Sequence, residues 1–206
     1  MNTRSLHPED ENRLWSRFCK GERDAFDTLY ATYFPVLFQY CIRFTSDRSL
    51  IKDVLQDFFI TLFLKPPKSS AVKQVKSYLL VSVRRQLLKA LQKEAAGFQT
   101  LDDEAGYDFE LELAADNSFI EKQEAGGVTQ ALQQMIRQLT PRQREAVYLY
   151  FFENIGYEQI ADMLDMKEIK YARTLIYRAL EDMRDLLAQN QVMTDILRNA
   201  AFAKQP

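Results

Sequence analysis

Charge along this chain is sorted into blocks, and that sorting constrains the fold more than any other feature. From Ala95 to Glu121 there are eight acids and no base: Asp102, Asp103, Glu104, Asp108, Glu110, Glu112, Asp116 and Glu121. Immediately before it, Lys68 to Lys93 carries seven bases and no acid. A stretch with that density of like charge does not form a core of its own. Its apolar residues, Leu101, Phe109, Leu111 and Leu113, follow no helical period. Residues 95–118 therefore read as an acidic linker between two folded blocks. The formal net charge of −2 averages over these blocks, and without the acidic one the rest of the chain is basic.

Both flanking blocks read as helix, so the fold class is all-α, with two small helical domains joined by the linker. In the first, residues 11–94, apolar positions recur at spacings of three, four and seven (Leu14, Phe18, Phe26, Leu29, Tyr30, Tyr33, Leu37, Tyr40). Pro35 marks a kink or a break. Thr45-Ser46-Asp47 is a turn and cap before a helix from Ser49 to Leu64 that buries Ile51, Val54, Leu55, Phe58, Phe59 and Leu62. Pro66-Pro67 ends that helix, and another runs from Val75 to Glu94. The second block, residues 119–189, contains Gly126-Gly127 as a candidate interruption. Thr140-Pro141 is a start signal, with Thr140 as N-cap and Pro141 in the first turn. Residues 190–206 form a tail with a weak amphipathic pattern.

Several functions are excluded by what the chain lacks. Its one histidine, His7, lies near the N-terminus. There is no Gly-rich phosphate loop, HExxH zinc motif or GxSxG nucleophile turn. The two cysteines, Cys19 and Cys41, cannot build a disulfide framework or a thiolate metal site. These absences predict a protein that is not an enzyme and needs no cofactor, metal or small-molecule substrate. The longest apolar run, Val147–Phe152, is far short of the roughly 18 residues of a membrane span, and no signal segment is visible. A cytoplasmic protein is expected.

The sharpest local pattern begins at Tyr157. Ile160, Ala161 and Leu164 form an apolar face, with small Ala161 where two crossing helices approach. Asp165 stands where the turn needs a left-handed residue. The following helix is expected to bury Ala172, Leu175, Ile176, Ala179 and Leu180. Lys170, Tyr171, Arg173, Thr174, Tyr177 and Arg178 are left to face phosphates and base edges. On residues alone this is either a DNA-reading helix-turn-helix or a helical hairpin with a solvated face.

The run Leu139-Thr-Pro-Arg-Gln-Arg-Glu-Ala-Val147, then Phe151 to Ala161, then Tyr177-Arg-Ala-Leu180 with Met183-Arg184, resembles the promoter-reading C-terminal domain (region 4) of bacterial sigma factors. It looks most like the extracytoplasmic-function group. Independently, Phe18, Gly21, Glu22, Ala25, Phe26, Leu29 and Tyr30, and above all Asp53-Val-Leu-Gln-Asp-Phe-Phe59, resemble that family's other domain, the region 2 helical bundle. The resemblance implies that Asp53, Gln56 and Asp57 meet a coiled coil on the clamp of core RNA polymerase. It implies that Lys73, Lys76, Tyr78, Arg84, Arg85, Lys89 and Lys93 serve the downstream promoter element and its melting, with cations on phosphates and rings on exposed bases. The six residues from Lys170 to Arg178 would read the upstream element.

Further expectations follow from the resemblance. The partners are core polymerase, double-stranded and melted promoter DNA, and an anti-sigma factor, with the chain acting as a monomer on polymerase. An ordinary helix-turn-helix regulator would explain the second block but not the Asp53–Phe59 motif. The sequence departs from the family at Arg85, Lys89 and Gln92, where Asn, Asp and a base are usual, and in a turn from Met166 to Arg173 that is about one residue longer than usual.

Overall fold

The structure, a computed structural model, describes residues 8–68, 72–95, 107–113, 123–189 and 194. These form helices α1 (Pro8–Cys19), α2 (Arg23–Cys41), α3 (Arg48–Leu64), α4 (Val75–Ala95), α5 (Gln123–Gln138), α6 (Pro141–Phe151), α7 (Tyr157–Met163) and α8 (Ile169–Gln189). The chain divides into two compact units, Met1–Asp108 and Phe109–Pro206. His7 and all of the tail except Thr194 lie outside the described residues.

The first unit is a four-helix bundle, with α2 packed against α1, α3 and α4. In its core, Leu29, Leu37, Tyr40, Ile51 and Leu55 are fully buried as expected from the sequence, joined by Leu79, Leu80 and Leu87 of α4, whereas Tyr30 of the expected stripe is exposed. Each buried side chain contributes about 2 kcal/mol by leaving water. Trp15 and Phe18 of α1 are buried in the same core, and the Trp15 ring meets Tyr78 edge-on at 5.6 Å. The α1–α2 turn rests on Gly21, whose φ of 88° lies in the left-handed region. Pro35 neither breaks nor ends α2, which runs through it. Its missing N–H costs one hydrogen bond, and buried Tyr33 and Leu37 on either side hold the helix in place. Asp47 caps α3 as expected, accepting from the Ser49 and Leu50 amides at 2.8 and 3.0 Å.

The second unit packs α5, α6 and α7 onto the long α8. Thr140 caps α6 through a reciprocal capping box with Gln143, and Pro141 occupies the first turn. The Gln143 amide also donates to Asp182 of α8 at 2.7 Å, tying the start of α6 to the scaffold helix. Gly126-Gly127 does not interrupt α5. Ala172, Ile176 and Ala179 are buried as expected. Leu175 is only half-buried and Leu180 is exposed, because the neighbouring helices cover a narrower stripe of α8 than its apolar pattern offers.

The two thiols differ in environment. Cys41 is fully buried, and burial pushes its pKa up to about 12. Cys19 is half-buried and raised by the same cause. At pH 8, iodoacetamide should therefore modify Cys19 first and leave Cys41 intact in the folded protein, while urea exposes both. Mass spectrometry of the alkylated peptides checks this, and equal labelling of both thiols in the native state would contradict the packing.

Candidate macromolecular interfaces

The register of α3 decides what it can present. All six residues expected to be buried, Ile51, Val54, Leu55, Phe58, Phe59 and Leu62, are in the core. Asp53, Gln56 and Asp57 are consequently exposed together on the opposite face, at spacings of three and four. Beside them lies a feature that the sequence reading missed. Ile60, Phe63 and Leu64 are 48%, 47% and 70% exposed. With Phe26, Tyr30, Phe59 and Gln56 they line a shallow apolar groove. The Phe26 and Phe63 rings meet at 4.8 Å, as do Tyr30 and Phe59, so its wall is preassembled. The available signal was a run of apolar residues at the end of α3 that falls outside the buried stripe.

On α4 the basic residues separate into two sets. Arg85, Lys89 and Lys93 are exposed at intervals of four and form one cationic stripe, and Lys73 is exposed just before the helix. Arg84 points the other way. It is only 5% exposed, and its guanidinium lies over the Tyr107 ring at 5.1 Å. Tyr78 and Lys76 are half-buried, with the Tyr78 ring against Trp15. One turn of sequence thus holds an inward arginine and an outward one, which charge counting cannot distinguish. Residues 69–71 of the preceding basic loop lie outside the described residues.

Helices α7 and α8 form the expected helix-turn-helix. Asp165 takes φ 51° in the turn. The turn is closed by the Met166 amide donating to the Ala161 carbonyl at 2.8 Å and by Arg142 donating to the Leu164 carbonyl at 2.6 Å. Buried Ala161 and Ala172 allow the two helices to approach. Lys170, Tyr171, Arg173, Thr174, Tyr177 and Arg178 are all exposed along α8. Lys170 pairs with Glu168 at 2.9 Å and lies over the Tyr171 ring. The Thr174 hydroxyl donates to the Lys170 carbonyl at 2.8 Å, which turns it along its own helix.

The Arg173 guanidinium sits 5.4 Å over the Tyr157 ring, and Tyr157 stacks on Tyr150 at 4.9 Å. The hydrogen bond between those two hydroxyls is the main cause that pushes Tyr157 above the ordinary tyrosine pKa. This stack restrains one cation of the face before any ligand arrives. The sequence reading gave neither tyrosine a role at the site, since their partners come from three different helices.

Two helical units, one with an exposed acidic and apolar face and the other with a helix-turn-helix whose exposed face is cationic and aromatic, define an all-α protein of the helix-turn-helix class. Comparison with known proteins is specific. The pattern described as Sigma-70 region 2 matches residues 29–96, and that described as Sigma-70, region 4 matches residues 129–183. The RNA polymerase sigma-H factor of Pseudomonas aeruginosa is 26% identical over 207 residues, covering 95% of this chain and 100% of the relative. The ECF RNA polymerase sigma factor SigM of Bacillus subtilis is 21% identical over 160 residues, 78% of this chain and 93% of the relative.

Among solved structures, CnrH in complex with the cytosolic domain of CnrY superposes with a TM-score of 0.54 at 16% identity, covering 87% of this chain and 98% of CnrH. The sigma factor RpoE of Bartonella quintana, in complex with the anti-sigma factor NepR, gives 0.54 at 19%, covering 81% and 98%. The chain belongs to the sigma-70 family, in its extracytoplasmic-function (ECF) group.

The turn residue offers a test of the helix-turn-helix geometry. Asp165→Val should destabilise the protein by about 1–2 kcal/mol, since a β-branched side chain opposes positive φ, whereas Asp165→Gly should be close to neutral. Urea unfolding followed by circular dichroism reads the difference, and equal stability of the two variants would place the turn elsewhere.

Proposed function

We propose that this protein directs core RNA polymerase to a specific set of promoters and helps open them, acting through binding energy rather than through a reaction of its own. The carrying observation is that one chain matches both sigma regions in order, and each unit presents an exposed face suited to its task. Asp53, Gln56 and Asp57 supply acceptors and charge for basic residues of a polymerase helix. The groove of Phe26, Tyr30, Phe59, Phe63 and Leu64 beside them supplies apolar area, the usual division of labour in an interface.

Arg85, Lys89 and Lys93, with Lys73, form the cationic stripe that takes the phosphates of the opening downstream element. Lys76 flanks it, while Arg84 and Tyr78 support the unit from within. Arg173, Arg178, Lys170, Tyr171, Thr174 and Tyr177 lie along the helix that enters the major groove at the upstream element. The stack of Tyr150 and Tyr157 under Arg173 reduces the freedom that cation loses on binding. The protein works in the cytoplasm, where polymerase and promoters are, and as a monomer on polymerase, because the two elements it reads are different. Two structural relatives, CnrH and RpoE, were solved with CnrY and with the anti-sigma factor NepR, which supports an anti-sigma partner for this chain as well. Such a partner would compete for the acidic and apolar face of α3.

Asp53→Ala with Gln56→Ala should lower affinity for core polymerase about tenfold or more while the helical circular dichroism spectrum is unchanged. Fluorescence anisotropy with purified core enzyme measures this, and wild-type affinity in the double variant would refute the α3 assignment. Arg173→Ala with Arg178→Ala should leave polymerase affinity intact and weaken protection of the upstream element. Each lost base or phosphate contact is worth about 1–3 kcal/mol. Footprinting of the holoenzyme reads that loss, and an unchanged upstream footprint would mean that α8 does not read DNA.

A further inference from the structure

Phe109 to Leu113 lies between the two matched sigma regions, and its contacts within the second unit are those of a bound peptide. Exposure alternates along it. Asp108, Glu110 and Glu112 are exposed, Phe109 and Leu111 are 0% and 2% exposed, and Leu113 is half-buried. An extended chain turns successive side chains to opposite faces and aligns the backbone groups of every second residue along one edge. Here that edge belongs to Phe109, Leu111 and Leu113.

Arg144 Nε donates to the Phe109 carbonyl at 2.6 Å. Gln133 Nε2 donates to the Leu111 carbonyl at 2.9 Å, and the Leu113 amide donates to Gln133 Oε1 at 2.7 Å. A single primary amide thus provides the donor and the acceptor that a neighbouring strand would have provided. The cradle is itself fixed: Arg144 also donates to the Leu139 carbonyl at 2.9 Å, and the Phe109 ring packs 5.7 Å from that of Tyr148.

We propose that the second unit carries a groove for an extended peptide of alternating apolar and acidic residues, and that Phe109–Leu113 fills it in cis as an exchangeable latch. The recognised pattern is an aromatic residue followed two positions later by an aliphatic one, read through the backbone edge by Gln133 and Arg144. Exchange is expected because ordering five residues costs conformational entropy similar in size to what two buried side chains and three hydrogen bonds return. A peptide of this chemistry supplied by another molecule would take the same groove once the latch is open. The latch goes beyond the promoter-directing function, and its test on the free protein uses neither polymerase nor DNA.

Hydrogen exchange by NMR on the full-length protein tests the closed state. The Leu113 amide should exchange about tenfold or more below its unstructured rate, and Gln133→Leu should abolish that protection while α6 and α8 amides keep theirs. A Leu113 amide that exchanges at the unstructured rate in the wild-type protein would overturn the latch.

A fluorescent synthetic peptide with the sequence of residues 106–115 tests the groove. It should bind the full-length Phe109→Ser, Leu111→Ser variant, whose α8 protection confirms that it is folded, and bind the wild-type protein about tenfold more weakly. A scrambled peptide should not bind. Failure of the native peptide to bind the opened variant, or equal binding of the scrambled one, would overturn the groove.

Discussion

The apolar stripe of α3 is the constraint on which the first unit depends. Six side chains, from Ile51 to Leu62, enter the core of the first unit, and a helix that commits one face so fully has no rotational freedom left. Asp53, Gln56 and Asp57 are held outward as a consequence of packing rather than by contacts of their own. Exposed carboxylates carry little energy in water, so such a face costs the free protein little; in its proposed role it gains value when a cationic surface removes water from it. The adjoining apolar groove works in the opposite sense, since exposed Phe63 and Leu64 are a standing cost that burial against a partner relieves.

The second unit solves a different problem. DNA is read by side chains that must project from a helix held at a fixed angle, and that angle is set by small residues and a strained turn. Ala161 and Ala172 permit the approach, Asp165 reverses the chain at positive φ, and Arg142 and Gln143 fasten α6 to the turn and to α8. Charge segregation along the chain serves both units. Concentrating bases in α4 and the first half of α8 and acids in the connecting segment allows a chain of slight net negative charge to bind a polyanion locally.

What was legible in the sequence was what is decided locally. The stripe of α3, the Asp47 and Thr140 caps and the left-handed turn at Asp165 each depend on a handful of neighbouring residues, and each was read with the correct residue in the correct place. The exposed face of α8 follows from the same periodicity. The misjudged features depend on distant partners. Arg84 differs from Arg85 only because one turns inward to meet Tyr107. Pro35 and Gly126-Gly127 would weaken isolated helices, but tertiary packing outweighs such intrinsic preferences. The alternation from Asp108 to Leu113 is plain in hindsight, yet its edge is satisfied by the side chains of Gln133 and Arg144, twenty or more residues away, and not by a strand. Sequence periodicity predicts which face is apolar, not which surface will cover it.

This chain is expected to convert core polymerase into a promoter-specific enzyme. Reconstituted run-off transcription tests it most directly, with purified core RNA polymerase, this protein and fragmented genomic DNA of its source organism. Discrete transcripts are expected that are absent with core enzyme alone and whose start sites share two upstream sequence elements at a constant spacing. Stable binding to core polymerase without any new transcript, across fragments covering the whole genome, would contradict it.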